Sequence, residues 1–283
     1  PKGGGGAGAG ALVAGRIAAT LNAARGRAAG VELTNLKANL LAQGNRMALS
    51  PASFELFGGR YEGTLEAAVG DTLAVSLTSR MTDLDVARLA AFGGVPDTVS
   101  GRLSGTGRFS GRGSDVGAVL AAASGGGTAA ITDGTIRRLD LVRTVVLFFG
   151  RPASDAPASP ADRFDRMTAS FSLARQVVRA ESFELHSPDV DIAATGTLTI
   201  PTKALEGRGE LLLSESLSAQ AGTDLVRYTR QGNRVVLPAT IGGTLSEPRV
   251  MIDAAAAVKR GLRNEAERRL KSLLDRLKPP PQK

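Results

Sequence analysis

The chain has 283 residues, room for one large domain or two ordinary ones and enough length to bury a sizeable core. Aromatics make up 4% and Trp is absent, while Gly reaches 35 residues, so thin extended layers are favoured over a thick interior; 42% apolar and 22% charged content exclude disorder throughout. Of the net charge of +8, eight basic against three acidic residues between Lys259 and Lys278 supply +5, which leaves little support for a nucleic-acid groove across the main body.

The absence of Cys excludes disulfides, Cys-based zinc sites and thiol nucleophiles. No apolar run approaches the ~18 residues that span a bilayer, the greasiest stretch being Val145 to Phe149. The Gly-rich opening lacks the apolar core of a signal peptide, so any anchor or export signal is expected upstream of Pro1.

In chain order, residues 1–14 read as a Gly-rich linker and 15–150 as a first β-rich half. Period-two alternation marks strands with one apolar face, as in Tyr61, Gly63, Leu65, Ala67 and Val69, then Leu73, Val75 and Leu77, then Leu103 to Phe109. Short helices interrupt it at Asp83–Phe92, at Ser114–Ala123 with Ser114 as N-cap, and at Leu139–Phe149. Residues 151–162, with three prolines, form a Pro/Ala/Ser hinge loop.

A second β-rich half covers 163–253, where Met167 to Leu173, Val190 to Ile200 and Val235 to Leu245 alternate cleanly. With about a dozen strands expected, the sheet must curl, split or close. Residues 254–278 carry Val258, Leu262, Ala266, Leu270, Leu273 and Leu277 at spacings of three and four, an amphipathic helix ended by Pro279, before a tail at 279–283. Its leucine stripe and basic residues such as Arg263, Arg268 and Lys271 suit either a cap on the sheet end or contact with a membrane or partner.

Chemistry is sought in vain. The one histidine, His186, stands beside Asp189 and Asp191, but Ser187-Pro188 makes a polar turn the better reading than a metal ligand or general base. Asp83 and Asp85 suit a helix start better than catalysis. Gly105-Thr-Gly107 lacks dinucleotide spacing and lies in a strand pattern, where glycine marks a bulge or close backbone approach. The expectation is a protein that is not an enzyme, with no catalytic residue, no metal and no cofactor.

Several motifs, read in order, resemble the C-terminal region of the AsmA-like family of bacterial envelope proteins. These are LTNLKANL from Leu33 with ELFGGRYEGTL, the run from Leu84 to ITDGTIRRLDL, MTASFSLA with FELHSPDVDIAATGTLTI, and PATIGGTLSEPRVMID leading into the basic helix. The likeness extends from about Gly15 to Lys278, with the poly-Gly opening and the insertion after Gly150 as departures. It implies a mainly β protein whose long curved antiparallel sheet forms a taco-like groove, anchored in the inner membrane upstream and facing the periplasm. It also implies phospholipid as partner, with transport towards the outer membrane and outer-membrane homeostasis as the role, and it admits an envelope protein partner.

The residues support this in one respect, since one-sided apolar strands need cover and three short helices are too few to supply it. The groove candidates are Leu65, Val75, Leu77, Phe171, Leu173, Leu198, Ile200, Leu211, Leu213, Val235, Leu237 and Ile241. A closed sandwich whose two sheets cover each other stays open as an alternative. So do two other functions, an assembly factor or chaperone that binds outer-membrane protein strands at a sheet edge, and a structural envelope scaffold.

Overall fold

The alternating segments fold as strands, and most turns between them are tight. The computed structural model describes residues 15–28, 30–137, 139–151, 161–220 and 229–259, with Arg263, Ala266 and Leu270. The elements are β1 (Arg16–Ala28), β2 (Val31–Gln43), β3 (Arg46–Leu56), β4 (Gly59–Val69), β5 (Leu73–Asp85), α1 (Val86–Phe92), β6 (Val99–Gly113), α2 (Val116–Ala121) and β7 (Ser124–Arg137). Then follow α3 (Leu141–Phe148), β8 (Ala161–Ala174), β9 (Val177–His186), β10 (Val190–Thr199), β11 (Ala204–Leu213), α4 (Glu215–Ser218), β12 (Arg230–Gln231), β13 (Arg234–Gly243) and β14 (Pro248–Ile252). Hydrogen-bonded neighbours follow chain order from β1 to β11, then β13, which pairs with both β12 and β14. The fold is therefore mainly β, an open antiparallel sheet not closed into a barrel, and the sandwich alternative is set aside.

Tight hairpins fix register. Phe57 and Gly58 both adopt positive φ (48° and 74°) between β3 and β4, as do Arg175 and Gln176 (50° and 60°) between β8 and β9, the geometry that matches strand twist.

The chain divides into two compact units. The first comprises Pro1–Asp85, Leu103–Ala129 and Ser172–Gln176. Its registers line up apolar residues in rows across β1 to β5, because directly paired residues share a face. One row is Ala19, Leu40, Leu49, Leu65 and Leu77; the next is Ile17, Ala42, Met47, Ala67 and Val75. This face is thinly covered: Ala38 and Ala52 are buried, yet Ile17 is 52% exposed and Met47 39%. Within this unit α2 packs against β5.

The second unit comprises Val86–Arg102, Ala130–Phe171 and Val177–Lys283, and it holds the thicker core. Here α3 buries Leu141, Val145 and Val146 among Leu185, Val190, Ile192, Leu211, Leu213, Val235 and Leu237. Within it α4 packs against β13.

The expected helices form with shifted ends. Asp83 takes a left-handed φ of 60° and β5 runs on through Asp85, so α1 starts at Val86 and no carboxylate lies in its first turn. In α2 the N-cap is Asp115, not Ser114: the Asp115 carboxylate accepts from the Ala118 N–H at 2.9 Å, and Ser114 donates to it. The short α4 was not foreseen. Of the hinge loop, 152–160 lie outside the described residues, and β8 begins at Ala161. The last helix starts at 254, where Asp253 accepts from the Ala256 N–H at 2.9 Å. Val258 and Leu270 of its stripe are 64% and 59% exposed, and Arg263 is helical and exposed; Leu262, Leu273, Leu277, Arg268 and Lys271 lie outside the described residues.

Truncating a sealed core position should cost more than truncating the thin face. Leu237→Ala, at a fully buried site, is expected to lose ~2–5 kcal/mol in urea unfolding. Leu21→Ala, at a 38% exposed site, should lose distinctly less.

Candidate functional site: an apolar cavity in the second unit

Four cross-strand rows build one wall of a cavity in the second unit. Leu185, Ile192, Leu211 and Leu237 form the innermost row, then Phe183, Ala194, Gly209 and Ala239. Ala180, Gly196, Gly207 and Ile241 come next, and Val178, Leu198 and Leu205 form the outermost. Side chains of the core pack over the inner row, of which Leu185 and Ile192 also reach the cavity. In the third row two adjacent members are glycine and leave bare backbone. A Cβ at Gly196 would stand 2.5 Å from the Glu206 carbonyl oxygen, so the strands run too close there for any other residue.

A cavity of about 460 Å³ lies over these outer rows, lined by Phe183, Ala194, Leu198, Leu205, Ile241 and Val250 on the sheet. Ile131, Ile136, Leu139 and Met167 line it too, as do Val86, Leu89, Ala90 and Val95 from α1 and the loop after it. Thr98, Thr195, Thr197 and Glu206 are the polar residues in the lining, and Thr195, Thr197 and Glu206 occupy the strand positions that alternate with the cavity-facing rows. Its size is that of a small-molecule site, but it lacks the converging polar groups that fix a polar ligand.

The sequence-predicted groove residues fall into distinct settings. Leu198 and Ile241 line this cavity. Leu211, Leu213, Val235 and Leu237, expected along an open groove, are at most 1% exposed; α3 and its neighbours seal them into the core. Ile200 lies beyond the end of β10 and is 45% exposed. Phe171 and Leu173 are half-buried in β8. In the first unit, Leu65, Val75 and Leu77 sit in its apolar rows, and Val75 also lines an open hollow of mixed character with Arg46, Glu66 and Arg112.

Residues of α1 and β9 went unrecognised as cavity lining. In β9 the register against β10 shifts between Ala180 and Phe183, so Val178 and Ala180 face the cavity together with Phe183 and Leu185. Even-numbered positions become odd across this bulge, and a period-two reading cannot follow it. The α1 signal was its helical apolar spacing, which shows a buried face but not a hollow beneath it.

Polar groups at the sealed end of these strands are structural clips. Arg234 donates to the Asp191 carboxylate at 2.9 Å and to the Leu213 and Leu212 carbonyls at 2.6 and 3.1 Å, tying β10, β11 and β13 together at one end. His186 Nδ1 lies 3.5 Å from the same carboxylate and its side chain is 55% exposed. Among the described residues no group of three His, Asp or Glu could hold a metal.

Asp162 is the strained polar group. Its Oδ1 accepts from the Leu141 N–H at 3.3 Å at the start of α3, while its Oδ2 is buried with no hydrogen-bond partner among the described residues. Burial pushes its carboxyl above the usual carboxylate range, and Asp140 and Asp189 add to the push.

The fold and site define a mainly β, open-sheet protein with one apolar face and an apolar hollow. Residues 10–183 match the AsmA family, and the chain belongs to it: this is a bacterial envelope protein of the AsmA type. The match ends within β9, so β10 to β14, which carry much of the cavity wall, lie outside it. A comparison with curated proteins finds no match, and neither does one with solved structures. Among the described residues no helix is long and apolar enough to cross a membrane.

Asp162 yields a pH test. A carboxyl raised in the folded state stabilises the fold fully below its unfolded pKa, and that stability is lost as pH rises through the folded value. Asp162→Asn should therefore melt higher than the parent at pH 7.5, and the gap should close as the pH falls through the raised range toward about 3.9. Thermal melts across pH check this.

Proposed function

We propose that this chain binds phospholipid acyl chains in the apolar cavity and along its thinly covered apolar face, as a non-catalytic step in moving lipid toward the outer membrane. The observation that carries the reading is the cavity of about 460 Å³, bounded almost wholly by aliphatic and small side chains. An acyl chain needs no directional partner, and removing its surface from water gains about 25 cal/mol per Å². The rows of the first unit support the same reading, since Ile17, Leu21 and Met47 leave apolar area that a hydrocarbon would cover. Membership of a bacterial envelope family supports work at the periplasmic side of the inner membrane, with an anchor upstream of Pro1. An envelope protein partner fits this setting. Binding rather than catalysis is supported by the lining, where Glu206 is the one titratable residue, at a strand position alternating with the cavity-facing rows, and no nucleophile–base pair is assembled.

Mass spectrometry of organic extracts from the purified chain tests this. Phospholipid should appear with the parent protein and fall at least several-fold in Leu198→Asp, which sets a carboxylate against the acyl chain at the half-buried outer row. Circular dichroism confirms that the variant folds. Lipid-free parent protein, or equal lipid in both, would sink the reading.

A further inference from the structure

The short helix α1, seven residues long, contributes three side chains to the lining of the cavity. Val86, Leu89 and Ala90 line it, with Val86 and Ala90 themselves buried (5% and 8% exposed). A helix this short has little stability of its own, so whether it stays closed depends on what holds its ends.

Its C-terminus is closed by backbone geometry. The Gly94 N–H donates to the Ala91 carbonyl and the Val95 N–H to the Ala90 carbonyl, with Gly94 at φ 72°, the double bond of a Schellman cap. Val95 tucks in after it, 9% exposed, and lines the cavity as well. Helix and cap thus form one small body that can move as a piece.

From the far side of the hollow, Lys203 reaches over. Its Nζ donates to the Gly94 carbonyl at 2.7 Å, a cation placed at the negative end of α1. The base of Lys203 is firmly held: its carbonyl accepts from the Leu245 N–H at 3.0 Å, and Ala204 bridges to Thr244. Lys203 lies in the turn between β10 and β11, directly after the strand that brings Leu198 to the cavity, with Leu205 just beyond. One exposed, charge-assisted hydrogen bond therefore ties the cap of α1 to the β10–β11 turn.

We infer that α1 with its Gly93–Gly94 cap is a lid over the cavity and that Lys203 is its latch, so that release of the Lys203–Gly94 bond governs entry of an acyl chain. This rests on the acyl-binding reading for the identity of the ligand, but the lid itself has a readout that needs no ligand.

Both parts are tested on the full chain. Hydrogen–deuterium exchange is compared between the parent and Lys203→Met, which keeps the aliphatic stem and removes the charge. Faster exchange over 86–95, by roughly tenfold, with β10 and β11 unchanged supports the latch. Unchanged exchange over 86–95 overturns it.

For entry, the natural lack of cysteine allows a clean pair, Gly93→Cys with Lys203→Cys, joined by a short bis-maleimide carrying a reducible disulfide. The probe is a dansyl-labelled undecanoic acid, followed by stopped-flow fluorescence. Linking should slow its entry at least tenfold and reduction should restore it, while Lys203→Met should speed both entry and exit. Entry unaffected by linking overturns the lid. A parent chain that binds no probe but shows the exchange change in Lys203→Met refutes the acyl reading and supports the latch.

Discussion

Strands that alternate apolar and polar residues have one face that water disfavours, and an open sheet has no second sheet to cover it. In the second unit α3 covers the inner rows, and Leu211, Leu213, Val235 and Leu237 become ordinary core. Cover by α3 runs out toward the Ala180–Gly196–Gly207–Ile241 row, where the paired glycines leave a hollow that α1 helps to line. In the first unit the rows stay half-open, and small residues such as Ala19, Ala42 and Ala67 keep the exposed apolar area modest. Both arrangements answer the same constraint.

Glycine sets where the hollow lies. Gly196 and Gly207 pair directly across β10 and β11, and a side chain on Gly196 would collide with the neighbouring strand's carbonyl. The close approach that demands glycine also removes the side chains that would have filled the space. A packed interior does not tolerate a void of this size lined by flexible, self-collapsing side chains. Here Gly196 and Gly207 set bare paired backbone among the Phe183, Leu198, Leu205 and Ile241 side chains, and the capped helix α1 completes the lining.

Much of this was legible in the sequence. The alternation in Tyr61–Val69 and Val235–Leu245 gave the strands their faces, and the resemblance to the AsmA-like family placed the fold as a long antiparallel sheet. What eluded it depends on partners distant in sequence. That Leu237 is sealed while Leu198 lines a cavity turns on α3, some fifty or more residues away, and propensity carries no trace of such cover. The β9 bulge reverses which residues face inward, and the glycine pair matters only once register sets one against the other. At α1 a left-handed Asp83 prolonged the preceding strand and shifted the helix away from the carboxylates that had marked its start.

The central claim is that hydrocarbon occupies the apolar hollow of the second unit. A phospholipid carrying a diazirine in one acyl chain, photolysed with the full chain and mapped by peptide mass spectrometry, tests it most directly. Label concentrated in 86–99, 131–136, 178–198, 205–207 and 241–250, segments that line the cavity, is the predicted result. Label spread evenly, or gathered on the polar face of the first unit around Thr20, Asn39 and Thr78, would contradict it.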